Sequence, residues 1–183
     1  MFAGSSQKYC DFHDLGDATE YARRVLRRLK RNTERPLIYR PKPSWALNHP
    51  DQCGPIEFAS YSAPQVPLRK FLTDTHLLVT HGSNAAFDAL AMGVPVMVLG
   101  TGICRPFSMG EEYEKLETPS FPTDEERLQF FYDAAYCQWT LDELRSGEAW
   151  GDMRKIILEL SAGSAQPVDD LEFLIGQYRI MHE

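Results

Sequence analysis

Two periods of apolar residues alternate along the chain. The runs "HLLVT" (76–80) and "VPVMVLG" (94–100) are short and nearly unbroken, whereas "SNAAFDALAMG" (83–93) between them repeats its small and apolar residues at helical spacing and stops at Gly93. Unbroken runs of this length predict strands buried on both faces, and the segment between them predicts the connecting helix. Earlier, "MFAGSS" reads as the end of a first strand, and "PLIYRPKP" as a second strand over 37–40, stopped by Pro41 and Pro43, which cannot donate to a ladder. Between those strands Tyr21, Ala22, Val25, Leu26 and Leu29 recur at the spacing of one helix face, preceded by Asp17 and Glu20 at capping-box separation.

A proline-rich loop around "NHPDQCGP" leads to "IEFAS" (56–60), a weaker strand candidate, and "PLRKFLTDT" predicts a short helix with proline at its start. Strands alternating with short helices imply parallel pairing through right-handed crossovers, hence an open α/β sheet. From residue 123 the pattern becomes wholly helical. Two or three helices are expected there, with capping-box spacing from Thr123 to Glu126 and from Thr140 to Glu143. The aromatics Phe130, Phe131, Tyr136, Trp139 and Trp150 read as packing residues, and "SAGSAQP" (161–167) as a linker to a last helical segment from Val168.

Composition narrows the class. The 183 residues, 43% hydrophobic and 25% charged, suffice for one well-filled core or one domain with an appendage. Without an apolar run of spanning length or a signal-like start, a soluble, cytoplasmic protein is expected. Cys10, Cys53, Cys104 and Cys137 lack any ligand or pairing pattern, so reduced structural thiols are expected and no metal site. The net charge of -7 hides a basic first segment, because residues 1–50 hold ten Lys/Arg against five Asp/Glu. Much of that excess lies in "YARRVLRRLKRNTERP". Two readings of it stay open: a solvated helix face, or contact of Arg23, Arg24, Arg27 and Arg28 with phosphates of a nucleic acid or a charged acceptor.

In open parallel sheets ligands collect beyond the carboxyl ends of the strands. Thr80, His81, Gly82, Ser83 and Asn84 fall at such an end, between an apolar strand and a helix start, a place suited to a phosphate. Gly82 permits close backbone approach, while Ser83 or Asn84 serves as cap or donor. Asp88, one turn deeper on roughly the same face, suits sugar hydroxyls. The same "HGSN" is also what a plain helix cap looks like, and Asp88 alone also suits a surface position.

These residues carry a resemblance. "VTHGSNAAFDALAMGVPVMVLG" resembles the donor-binding segment of GT-B glycosyltransferases: a strand, a small polar turn, a helix with an acidic residue and a "GVPV" strand. "IYRPKPSW" is similar to the "R-x-H-P"-like segment of the capsular-polysaccharide and Kdo transferase branch, with Lys42 where histidine is often found. "GSSQKY" (4–9) resembles the loop that opens the carboxyl-terminal half of those enzymes. With "YCQWTLDELRSGEAW" included, the chain also resembles bacterial and bacteriophage proteins of glycosyltransferase type. The motifs span roughly residues 4 to 110.

The resemblance implies the donor half of a GT-B fold: a single Rossmann-like open parallel sheet flanked by helices over 1–122, with 123–183 as a helical extension packing on the same domain. It implies a nucleotide sugar as substrate, no essential metal or cofactor, and an acceptor half supplied by a longer enzyme, a partner chain or a homodimer. Phosphate contacts are expected from Ser83 and Asn84, with Gly82 close by, with Arg40 and Lys42 from the second strand's end, and with Ser5, Ser6 and Lys8 from the first. Arg105 joins them or lies on the surface. His81 acts in acid/base work or only ties the turn, and Asp11, His13 and Asp14 hold a base or form a solvated loop.

Three classes of function follow. The first is a glycosyltransferase, or its donor-binding half, acting toward a hydroxyl acceptor. The second is a sugar-nucleotide epimerase- or hydrolase-like enzyme. The third is a non-catalytic nucleotide- or nucleic-acid-binding module, against which the acidic net charge counts.

Overall fold

The computed structural model describes residues 1–163. In chain order its elements are β1 (Phe2–Ala3), α1 (Gln7–Phe12), α2 (Ala18–Lys30), β2 (Ile38–Arg40), α3 (Pro43–Asn48), β3 (Ser60–Tyr61), α4 (Leu68–Leu72), β4 (Leu78–Thr80), α5 (Ala85–Ala91), β5 (Val96–Val98), α6 (Asp124–Tyr136), α7 (Leu141–Ser146) and α8 (Glu148–Gly163). The strands form one sheet in the order β3-β2-β1-β4-β5, and every pairing is parallel. From β1 the chain builds outward through β2 and β3; it then returns to the other side of β1 for β4 and β5. The order therefore reverses between β1 and β4, as in Rossmann-like α/β sheets.

The register explains the core. Phe2 pairs with Tyr39 on one side and Val79 on the other, and Val79 pairs with Met97, so four large side chains form a row across one face. That row packs on Tyr21, Ala22, Val25, Leu26 and Leu29, the expected apolar face of α2. The opposite face carries the row Arg40, Ala3, Thr80 and Val98, and α5 packs on β4 and β5 through buried Ala86, Ala89 and Leu90. Leu26 and Leu90 are fully buried, each contributing roughly 1.5–3 kcal/mol by leaving water.

Local signals act largely as their chemistry dictates. Asp17 caps α2 by accepting from the amides of Thr19 and Glu20, both at 2.9 Å, while Glu20 pairs with Arg23. The boxes at Thr123 with Glu126 and at Thr140 with Glu143 both form. Gly93 ends α5 with φ 79°, letting the Val94 amide reach the Ala89 carbonyl at 2.9 Å.

Three segments differ from expectation. The third strand is shifted to Ser60–Tyr61, because Ile56 turns into the core before the ladder starts with the Ser60 amide on the Leu37 carbonyl at 2.8 Å. Ser6 caps a helix, α1, where a loop was expected, accepting from the Tyr9 amide at 3.3 Å. Pro43, expected only to stop a strand, also opens α3 as its first residue.

The chain divides into a unit Met1–Gln129 and a second unit beginning at Phe130. In the second, Gly147 at φ 83° separates α7 from α8, which pack on each other. The first three residues of the expected linker at 161–167 belong to α8; the remainder, and the helical segment expected from Val168, lie outside the described residues. No helix among the described residues is long and apolar enough to cross a membrane. All four cysteines are free, with only Cys137 exposed, and burial pushes the Cys104 thiol up to about 11.

Candidate functional site

The reversal between β1 and β4 leaves a cleft at their carboxyl ends. It has a volume of about 270 Å³ and is lined by Gly4, Ser5, Tyr9, Lys42, Gly82, Ser83 and Asn84. Three loops converge there: Gly4 and Ser5 after β1, Lys42 after β2, and Gly82 to Asn84 after β4. Five expected site residues thus meet, namely Ser5, Lys42, Gly82, Ser83 and Asn84. The lining contains one cation, Lys42, and no carboxylate.

Glycine is required at two positions by close approach. A methyl group on Gly82 would overlap the Tyr9 hydroxyl and lie 2.6 Å from the Thr101 carbonyl oxygen. A methyl group on Gly100 would run into the His81 imidazole, and the Gly100 amide donates to the His81 carbonyl at 2.8 Å. The loops after β4 and β5 are therefore in backbone contact. Inside the first loop the Thr80 hydroxyl accepts from the Ser83 amide and the Ser83 hydroxyl from the Ala85 amide, both at 3.2 Å. Ser83 thus caps the start of α5, while Asn84 has helical backbone, makes no capping bond and exposes its side chain.

His81 faces away from this cleft. Its Nδ1 lies 2.7 Å from the Tyr21 hydroxyl, and its ring stands edge-on to Tyr9 and Tyr21, with the His13 ring centroid 5.6 Å away. Burial, followed by repulsion from His13, holds its pKa below the ordinary imidazole value, so the ring is neutral near pH 7. Burial pushes the Tyr21 phenol upward, which keeps its proton in the bond to His81. A neutral imidazole fixed on a protonated phenol can orient the loop that carries Gly82.

The other expected residues occupy different surroundings. Arg40 is 5% exposed; its guanidinium donates to the Ser62 hydroxyl at 2.9 Å and to the carbonyls of Ala63 and Val66 at 3.3 and 2.8 Å. It holds the loop after β3 and does not line the cleft, since β2 points it toward the packed face of the sheet. Ser6 is taken up as the cap of α1, and Lys8 is exposed on that helix outside the lining. Asp11 accepts from the Gln7 amide group at 2.7 Å, the His13 ring leans on Tyr9 with centroids 4.2 Å apart, and Asp14 is exposed in left-handed backbone. Asp88 is half-buried beyond the cleft lining, and Arg105 donates to the Gly100 carbonyl, tying its own loop.

Sequence reasoning missed Gly4 and Tyr9 in the lining and Tyr21 as the partner of His81. Ser6, a good cap ahead of Tyr9 and Cys10 at neighbouring helix positions, was the available signal for α1. Nothing local could link Tyr21 to His81, sixty positions apart. A further hollow of about 190 Å³ lies at the amino ends of the strands, where apolar residues such as Leu29 and Leu37 meet Thr33, Arg35, Asp74 and His76. Arg35 there is paired with Glu117, and the His76 ring lies 2.9 Å from the Leu116 carbonyl.

Among the described residues no three His, Cys, Asp or Glu side chains gather as a metal site. No family model, curated protein or solved structure matches the chain.

Proposed function

We propose that the unit Met1–Gln129 binds the phosphates of a nucleotide-activated sugar in the β1/β4 cleft, as the donor-binding part of a GT-B-type glycosyltransferase acting on a hydroxyl acceptor. The observation that carries this reading is the convergence of Gly4, Ser5, Lys42, Gly82, Ser83 and Asn84 from three loops at the point where the strand order reverses.

In this reading Lys42 supplies the charge that balances the departing phosphate, and the Ser5, Ser83 and Asn84 side chains hydrogen-bond its oxygens. Gly82 lets its loop pack directly on Tyr9 and the Thr101 carbonyl, and Gly4 lets the loop after β1 pass close to Tyr39. A cleft of 270 Å³ is below the usual range for a whole drug-sized ligand, so it accepts the charged portion and leaves the sugar and base along its rim. Asp88, in the first turn of α5, lies outside the cleft lining and takes no part in the phosphate contacts of this reading. His81, tied to Tyr21, acts as a positioning residue for the Gly82 loop.

Calorimetric titration with UDP-, GDP-, CMP- and dTDP-sugars tests the reading. Saturable binding of one nucleotide class, weakened about tenfold or more by Lys42→Gln with an unchanged melting temperature, is expected from loss of one charge-assisted contact. Equal affinity in Lys42→Gln and the parent chain would remove the cleft from consideration.

A further inference from the structure

The exposed side of α2 bears a second concave surface, separate from the β1/β4 cleft. Arg24, Arg27, Arg28 and Arg31 follow one another at intervals of three, one and three residues, forming a stripe about 10 Å long at the helical rise. They line a groove of about 670 Å³ together with Tyr21, His81, Leu99, Glu111 and Tyr113. That volume lies within the range of small-molecule sites.

Two of the four guanidinium groups are anchored. Arg24 donates to the Leu15 carbonyl at 2.9 Å, while Arg28 lies 3.8 Å over the Tyr113 ring and 3.3 Å from Glu111. Arg27 and Arg31 are exposed, and neither side chain has an acidic partner among the described residues. Of the other described arginines, Arg23, Arg35, Arg127 and Arg145 are each paired with a carboxylate, whereas Arg69, Arg105 and Arg154 have no ion pair and lie outside the groove. A solvated helix face does not account for this arrangement, because the charges line a concavity with an aromatic wall and half of them are held in place. The only carboxylate in the lining, Glu111, is already engaged by Arg28.

We propose that this groove is a binding site for a compact ligand bearing two or more phosphoryl groups, held between the anchored Arg24 and Arg28 and the unpaired Arg27 and Arg31. Arg24 and Arg28, and likewise Arg27 and Arg31, are each about one helical turn apart, so a single phosphate meets one pair and a multiply phosphorylated ligand meets both. A nucleic-acid track fits less well. The stripe spans only about three nucleotides at 3.4 Å per strand residue, too short a track for an extended strand. Arg23, which the sequence grouped with the others, is not part of the groove: it turns to Glu20, and Arg31 takes its place.

The test is calorimetry on the full chain with inorganic tripolyphosphate, orthophosphate and a short single-stranded oligonucleotide. Tripolyphosphate is expected to bind well ahead of the other two. The affinity should fall about tenfold for each arginine removed in Arg31→Gln and in the Arg27→Gln/Arg31→Gln pair, with unchanged melting temperatures, and hold steady in Arg23→Gln. Equal affinity for orthophosphate would overturn the requirement for several phosphoryl groups. Tighter binding of the oligonucleotide through the same arginines would make the groove a nucleic-acid surface instead. Tripolyphosphate binding that survives the double substitution but is lost in Lys42→Gln would place the anion in the β1/β4 cleft and end the proposal.

Discussion

The β1/β4 cleft and the arginine groove lie on the same sheet unit and are built in opposite ways. The cleft is made by backbone: glycines that exclude a Cβ, amides and hydroxyls that close the loops, and a single lysine. The groove is made by long side chains projecting from one helix whose other face is the core. Shape in the cleft is thus inseparable from folding, whereas the groove's charges can be removed without touching the core. Function and stability should respond together at the glycine-bearing loops of the cleft, and separately at its Lys42 and in the groove.

The largest effect is expected just beneath the cleft. Arg40→Met removes a buried guanidinium and leaves the carbonyls of Ala63 and Val66 without their donor, which should cost about 3 kcal/mol in urea unfolding. A loss under about 0.5 kcal/mol, the scale of a neutral surface change, would mean that the arginine is free to serve the cleft after all. Next comes Gly82→Ala. Overlap with Tyr9 and the Thr101 carbonyl should cost roughly 1–3 kcal/mol and abolish nucleotide-sugar binding in the same variant. Full stability together with full binding would show that the loop has room the geometry denies it.

His81 connects the two regions and gives a smaller, pH-dependent effect. Its folded pKa is depressed by burial and by His13, so the unfolded chain takes up the proton first as pH falls. Its contribution to stability is complete above the ordinary imidazole value of about 6.5 and declines below it, until the folded ring also protonates. Melting temperature measured through that window should fall more steeply in the parent chain than in His81→Gln. Identical slopes would detach His81 from the acid response. The smallest effect belongs to the groove, where Arg27→Gln/Arg31→Gln should change stability by no more than about 0.5 kcal/mol. A loss of several kcal/mol on urea unfolding would show that those side chains hold the fold, and would erase the contrast.

What the sequence disclosed follows the same division. The α/β class, the apolar face of α2, the strand and helix around residues 78–91 and the terminator Gly93 were legible because each follows from a local period or a single backbone requirement. So was the assembly of Ser5, Lys42, Gly82, Ser83 and Asn84, since strand ends in a parallel sheet share one edge. Arg40 lies outside the cleft lining, and its position at a strand end says nothing about which face β2 turns it toward; the register with Ala3 decides that. Arg31 and Arg23 exchange places for a similar reason: helical spacing supplies the stripe, but Glu20 one turn away captures Arg23. The Tyr21–His81 bond, which joins α2 to the loop after β4, depends on tertiary packing alone.

The most direct measurement is a calorimetric titration of the chain with the four classes of nucleotide sugar, carried out in parallel on Lys42→Gln and Arg27→Gln/Arg31→Gln. Saturable binding of one class is expected, weakened about tenfold by the lysine substitution and unaffected by the arginine pair. No binding near a millimolar, or binding lost with the arginines and indifferent to Lys42, would contradict the assignment of the donor phosphates to the β1/β4 cleft.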